Sequence, residues 1–282
     1  MYNPPYVGVT GFAIPGEVES VLSQLPANLP RKLMVGVLAS RETLAGNSGP
    51  KQFAGRYPKV ERIADIFNDD PRALNLIHYT SESQELTLAN EMVEVRTDFG
   101  GLLCHGIQMN LTWPSPRYVV EHYRRMVEYS ISAAISPRPT NEVIVLQVGR
   151  EAVELCGYNP FAVANRLREY EGLVNYVLLD QSGGRGEPFK REMAVLAMTV
   201  ADQMPKSMGL VLAGGLSALS VDQTLNYFRS FDQPIIDRAK LSLDAEGRLR
   251  NLDGDTLNVE AAIAYVKRAL VALHVPAEAD EG

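Results

Sequence analysis

Eight times along this chain a short, almost unbroken apolar run gives way to a segment with helical spacing, and that alternation restricts the fold more than any other feature. The strand-like runs are 6–12, Lys32–Ser40, Ala73–Thr80, His105–Leu111, Glu142–Val148, Asn175–Asp180, Met208–Ala213, and a run starting near Pro234 with Ile235, Ile236 and Asp237. Between them the helical pattern covers Pro15–Leu25, a stretch from Gln52 or Pro58 to Phe67, Ser83–Val95, the residues after Pro116 up to Tyr129, Pro160–Tyr170, Lys190–Gln203, Val221–Phe231 and Val259–Leu273. Asn159, Ser220 and Asn258 stand where helix N-caps belong, and Pro160 occupies a first helical position. Residues 96–103 fit neither pattern.

Continuous apolar strands are expected where both faces of a sheet are covered. Strands that alternate with helices imply a parallel sheet. Eight such units in 282 residues suit an α/β fold, a single (β/α)8 TIM barrel over residues 1–282, with an open doubly wound sheet as the alternative. No linker-like stretch divides the chain. Two polar segments stand out. Arg41–Pro50 reads as a loop able to close over a site. Asp244–Thr256, with Gly247, Asp253 and Gly254, is expected to cap the barrel mouth.

Composition narrows the function classes. A net charge of −7 without a basic run argues against binding nucleic acid or acidic membranes. No stretch is long and apolar enough to span a bilayer. The start of the chain lacks a basic region followed by an apolar one, so a cytoplasmic protein without a signal peptide is expected. The two cysteines, Cys104 and Cys156, lie in apolar surroundings without ligand spacing, so neither a disulfide nor a metal site is expected. No cofactor motif is present. The expected partner is a small anionic molecule, and self-association into a homo-oligomer is left open.

In a barrel of this kind the site lies at the carboxyl ends of the strands. That rule selects Thr10, Arg41, Asn110, Gln147, Asp180, Gly214, Gly215, Asp237 and Lys240. Asp180 leads, because a carboxylate closing an apolar strand can have its pKa raised by desolvation and serve as acid or base near neutrality. The competing reading is a strand-end cap bonded to nearby amides. Gly183, Gly184, Arg185 and Gly186 follow it and combine flexible backbone with a guanidinium, which suits a phosphate or carboxylate. Gly214 and Gly215 end the seventh run, where barrels of this type commonly bind phosphate. His78 and His105 fall within strands and read as core or mouth residues. Trp113 either walls a pocket or packs beneath the Pro114–Pro116 turn.

The run Leu178-Leu179-Asp180 with Gly183-Gly184-Arg185-Gly186-Glu187-Pro188-Phe189 resembles the strand-six signature of phosphoribosylanthranilate isomerase. Leu212-Ala213-Gly214-Gly215-Leu216 resembles that family's strand-seven signature, and 107–111 its strand four, with Asn110 where a histidine is usual. The resemblance is specific over roughly residues 174–220 and architectural elsewhere. It implies a phosphosugar-type ligand and an aldose-to-ketose rearrangement, with Asp180 as the general acid. It also exposes two departures. The family's base is a cysteine at the end of strand one, where this chain has Thr10, whose hydroxyl does not ionise near pH 7. The family's Ser-Ser-Gly phosphate turn is replaced by Asp237-Arg238-Ala239-Lys240, so Lys240 or Arg238 would hold the anion differently. Arg41 loosely matches an arginine that holds a substrate carboxylate.

The expected function is therefore an isomerase-like barrel binding a phosphorylated or carboxylated sugar-like substrate, by a reaction or mechanism other than the family's own. Asp180 and Thr10 are the catalytic candidates. Arg41, Gly183, Gly184, Arg185, Gly186, Gly214, Gly215 and Lys240 are the anion-binding ones. A non-catalytic ligand-binding barrel and an aldolase- or epimerase-type barrel using Lys240 are the alternatives.

Overall fold

Eight parallel strands close on themselves in the computed structural model, each paired with its sequence neighbour and the eighth with the first. The structure describes residues 3–47, 49, 51–81, 87–133, 142–180, 182–183, 185–229, 240–252 and 254–274. The strands are β1 (Tyr6–Thr10), β2 (Lys32–Ser40), β3 (Ala73–Thr80), β4 (Gly106–Asn110), β5 (Val143–Val148), β6 (Tyr176–Leu179), β7 (Gly209–Ala213) and β8 (Ser242–Ala245). The α-helices among the described residues are α1 (Glu17–Leu22), α2 (Arg41–Leu44), α3 (Ile63–Ile66), α4 (Leu88–Glu94), α5 (His122–Ala133), α6 (Arg150–Leu155), α7 (Pro160–Leu167), α8 (Arg191–Gln203), α9 (Val221–Arg229) and α10 (Val259–Leu273). Asn159 and Asn258 cap α7 and α10 through their side-chain oxygens, as their positions in the sequence suggest. The arrangement is a (β/α)8 barrel.

Alternate strand residues point opposite ways, so each strand supplies two cores. One row packs outward beneath the helices, with Val7, Val9, Val35, Val37, Ile107, Leu146, Val177 and Leu212 all buried. The other fills the barrel, where Tyr6, Met34, Leu74, Leu76, Val145, Tyr176, Leu178 and Val211 form a separate cluster. The Tyr6 and Tyr176 rings meet edge to face at the amino-terminal end, 5.2 Å apart. Burial on both faces is why the strands read as unbroken apolar runs. Each aliphatic side chain so buried contributes about 1.5–3 kcal/mol.

Three departures from the sequence reading have physical reasons. The eighth strand is not the run near Pro234, which lies outside the described residues. It is Ser242–Ala245, where Leu-Ser-Leu-Asp alternates because the inward positions are polar. Helix α6 is a single short turn set that weak periodicity hides. Residues 95–99 continue α4 as a π-helical turn that buries Arg96 against Glu142, Nη2 to Oε2 at 3.0 Å. Tyr123 donates to the same carboxylate, and Arg96 also donates to the Cys104 carbonyl. A buried, multiply bonded arginine looks like neither a helix face nor a loop in sequence.

Candidate functional site

At the carboxyl end of the barrel the inward row changes character. The inward positions of β1, β3, β4, β5, β6 and β8 carry Thr10, His78, Gln108, Gln147, Asp180 (just past β6) and Asp244, all buried. Room for two of them comes from glycines below. A Cβ on Gly8 would fall 2.8 Å from an Asp244 oxygen, and one on Gly36 would fall 2.5 Å from Thr10 Oγ1. Glycine inside a strand marks such a close approach.

Four of these side chains form one hydrogen-bonded relay across adjacent strands. Asp180 accepts from the Ser182 amide at 2.7 Å and from Gln147 Nε2 at 3.4 Å. The Gln147 oxygen therefore faces Gln108, whose amide nitrogen donates to it at 3.2 Å. The same nitrogen lies 3.2 Å from His78 Nδ1. Read outward from the carboxylate, the chain of donors leaves Nδ1 as an acceptor and puts the imidazole proton on Nε2. Burial lowers the His78 pKa, which keeps the ring neutral. At the end of the relay, His78 Nε2 and Gln108 Oε1 are buried without a partner among the described residues. They are a donor and an acceptor lining one cavity with Asp180 and Asp244. Buried polar atoms are rarely left so, and a ligand hydroxyl or a water, which both accepts and donates, is what would satisfy them.

Asp244 is the second carboxyl of that cavity. Thr10 Oγ1 donates to it, 3.1 and 3.0 Å from its two oxygens. Complete burial pushes its pKa up to about 8, with the charges of Glu246 and Asp180 adding to the rise and the Thr10 hydrogen bond opposing it. At neutral pH Asp244 thus holds its proton, while Asp180 accepts hydrogen bonds at both oxygens. One carboxyl that keeps its proton and one that accepts hydrogen bonds at both oxygens, on a single cavity, can serve as proton donor and proton acceptor.

The loop between β8 and α10 straps this mouth, in keeping with the capping role expected for it. Arg250 Nη1 donates to the Gly11 carbonyl at 2.9 Å, and Nη2 to that of Thr10. Arg248 Nε donates to the Gly186 carbonyl at 2.8 Å. From the other side Arg56 grips Glu246 at 2.6 Å and Asp255 at 2.7 Å. Under the strap the central cavity is about 20 Å³, room for about one water.

The sequence-selected residues do not all meet in one place. Thr10, Gln147, Asp180, Gly214 and Gly215 lie together at the mouth, where a Cβ on the left-handed Gly214 (φ 108°) would fall 3.5 Å from Asp180 Oδ1. Gly215 lines the cavity but is packed against the Glu187 carbonyl. Gly183, Arg185 and Gly186 lie on the rim, where Arg185 pairs with Glu187 at 3.1 Å on the surface. Gly184, Asp237 and Arg238 lie outside the described residues. Arg41 begins α2 and pairs with Glu91 at 3.5 Å. Lys240 is corrected outright: it is exposed and precedes β8, at the amino-terminal end of the barrel away from Asp180. It was misplaced because strand eight was read too early. Asp244 and Gln108 were missed, and His78 was set aside. The signal that finds them is parity, since each lies on the inward row of its strand.

No protein-family model matches the chain, and no curated protein sequence matches it. Among solved structures it is similar to N-(5'-phosphoribosyl)anthranilate isomerase from Pyrococcus furiosus, with a TM-score of 0.56 and 16% identity over 94% of this chain and 98% of that one. It is also similar to a native KDPGal structure, with a TM-score of 0.50 and 12% identity over 98% of both chains. At these identities the likeness is one of fold.

Proposed function

We propose that this protein is an isomerase-like barrel enzyme that moves a proton on a phosphorylated or carboxylated sugar-like ligand. The observation that carries the reading is the pair Asp180 and Asp244 on one cavity, one accepting hydrogen bonds and the other protonated to about pH 8. In an aldose-to-ketose conversion Asp180 takes the proton from C2 while Asp244 protonates the C1 oxygen. The resulting enediol becomes the ketose when Asp180 returns its proton to C1 and Asp244 recovers one from the C2 hydroxyl. Neutral His78 donates from Nε2 and Gln108 accepts at Oε1, so the two together match a sugar hydroxyl. Thr10 acts on Asp244 and not as a base, because its hydroxyl proton is directed at that carboxyl. This differs from the assignment the family resemblance implies, in which Asp180 is the acid.

The test is deuterium exchange at C2, followed by NMR, when the protein is incubated in heavy water with aldose phosphates, aldonates and N-aryl aminoaldose phosphates. Exchange that is lost in both Asp180→Asn and Asp244→Asn supports the assignment. Exchange that survives both substitutions removes it. A second reading, a non-catalytic ligand-binding barrel, is favoured by the strap, which leaves so little space above the two carboxyls. Tight binding with no exchange across those substrates would select it.

A further inference from the structure

Beside the barrel mouth a cleft of about 830 Å³ opens between the ends of β3 and β4 and the helices α6 and α7. That is the size of a small-molecule site. Its inner edge is Thr80 and Asn110, the paired last residues of β3 and β4. Both are half-buried, and their side chains make no hydrogen bond to a described residue. Its outer wall is held stiffly. Trp113, at a left-handed φ of 47°, donates from its indole to the Ala152 carbonyl at 2.8 Å. Tyr170 ties down the Pro114 carbonyl at 2.6 Å, and Thr112 donates to Glu151 at 2.8 Å. A bulky residue in the left-handed region stays there only when its surroundings over-determine it. The guanidinium of Arg166 lies 5.9 Å from the Trp113 ring centre and lines the cleft. Its pairing with Glu169 at 3.4 Å is solvent-exposed on both sides and holds it weakly.

We propose that this cleft seats the anionic group of the ligand, a sugar phosphate or sugar carboxylate, with Arg166 as its counter-ion and Thr80 and Asn110 on its hydroxyls. The proposal rests on the functional reading above and moves the anion away from the glycine turns. Thr80 and Asn110 stand two residues beyond His78 and Gln108 on the same strands, a rise of about 7 Å. A ligand with its anion at Arg166 and its hydroxyls on Thr80 and Asn110 would thus direct its other end toward the mouth that holds the two carboxyls. A planar guanidinium matches either oxyanion with two parallel hydrogen bonds, and the indole beside it favours a fixed orientation.

Titration calorimetry on the full chain with ribose 5-phosphate, gluconate and unmodified ribose tests this. One anionic probe is expected to bind at least tenfold more tightly than ribose, and whichever does names the anion. Arg166→Met should weaken it at least tenfold and leave ribose unchanged, and Arg166→Lys should recover part of the loss. Arg185→Met should stay within twofold of wild type. Asp180→Asn should retain anion binding, so that a failure of the proton-transfer reading is seen separately in the exchange experiment. The proposal is overturned if neither anion binds more tightly than ribose, if folded Arg166→Met binds like wild type, or if Arg185→Met shows the loss instead.

Discussion

Replacing Asp244 with asparagine should stabilise this protein, and by an amount that grows with pH. The carboxyl is fully buried and its pKa is raised from 3.8 to about 8, with desolvation as the largest cause. In the unfolded chain it titrates near ~3.9. Below that value both states hold the proton and the group adds no pH dependence. Between about pH 4 and 8 the unfolded state releases the proton and the folded state keeps it, so wild-type stability falls as pH rises. Each pH unit in that window is worth about 1.4 kcal/mol, which over roughly four units amounts to on the order of 5 kcal/mol as an upper bound. Asparagine keeps an acceptor for Thr10 and has nothing to ionise. Urea unfolding of both proteins between pH 4.5 and 9 should show the variant's advantage climbing through this window and levelling off above pH 8. A constant difference, or an advantage that shrinks as pH rises, would refute the argument that Asp244 is buried in protonated form. Losing deuterium exchange together with gaining stability is what a strained functional carboxyl should do.

Gly36→Ala would put a methyl 2.5 Å from Thr10 Oγ1 and 3.0 Å from its Cα, so urea unfolding should register a loss of about 1–3 kcal/mol. Glu142→Ala leaves Arg96 charged in a site where both side chains are completely buried, and chemical denaturation should show a loss of about 3–5 kcal/mol. Arg250→Ala removes the donors to the Gly11 and Thr10 carbonyls, and hydrogen exchange across 246–252 should accelerate while the strands β2–β5 keep their protection. Nitrogen NMR of His78 should find a neutral ring carrying its proton on Nε2 at neutral pH, and a proton on Nδ1 would break the relay as described.

Most of the barrel was legible in advance because strands covered on both faces must be apolar at every position. Seven of the eight strand runs therefore announced themselves, and Asp180 and Thr10 followed from standing at strand ends. The same logic hid the eighth strand. Ser242 and Asp244 face inward, so the run looked interrupted, and the apolar pair Ile235-Ile236 took its place. Lys240 was carried to the wrong end of the barrel by that shift. The glycine turns read as an anion cradle, yet Gly215 has its space filled by the backbone of Glu187 and Arg185 is paired across two residues.

What the sequence alone determined is the alternation, and with it the parallel sheet, seven of its eight strands and the strand ends where Asp180 and Thr10 stand. These follow from local rules: side-chain periodicity, caps and the burial of two faces. Only the tertiary structure decided the company that Asp180 keeps. Gln147 beside it comes from β5, Gln108 behind that from β4 and Asp244 across the cavity from β8, and the distance in sequence from Thr10 to Asp244 is 234 residues. Which inward side chains meet depends on the register with which the strands close, and closure is a property of all eight together. A carboxyl's proton affinity depends in turn on that surrounding set, so the raised pKa of Asp244 exists only in the folded barrel.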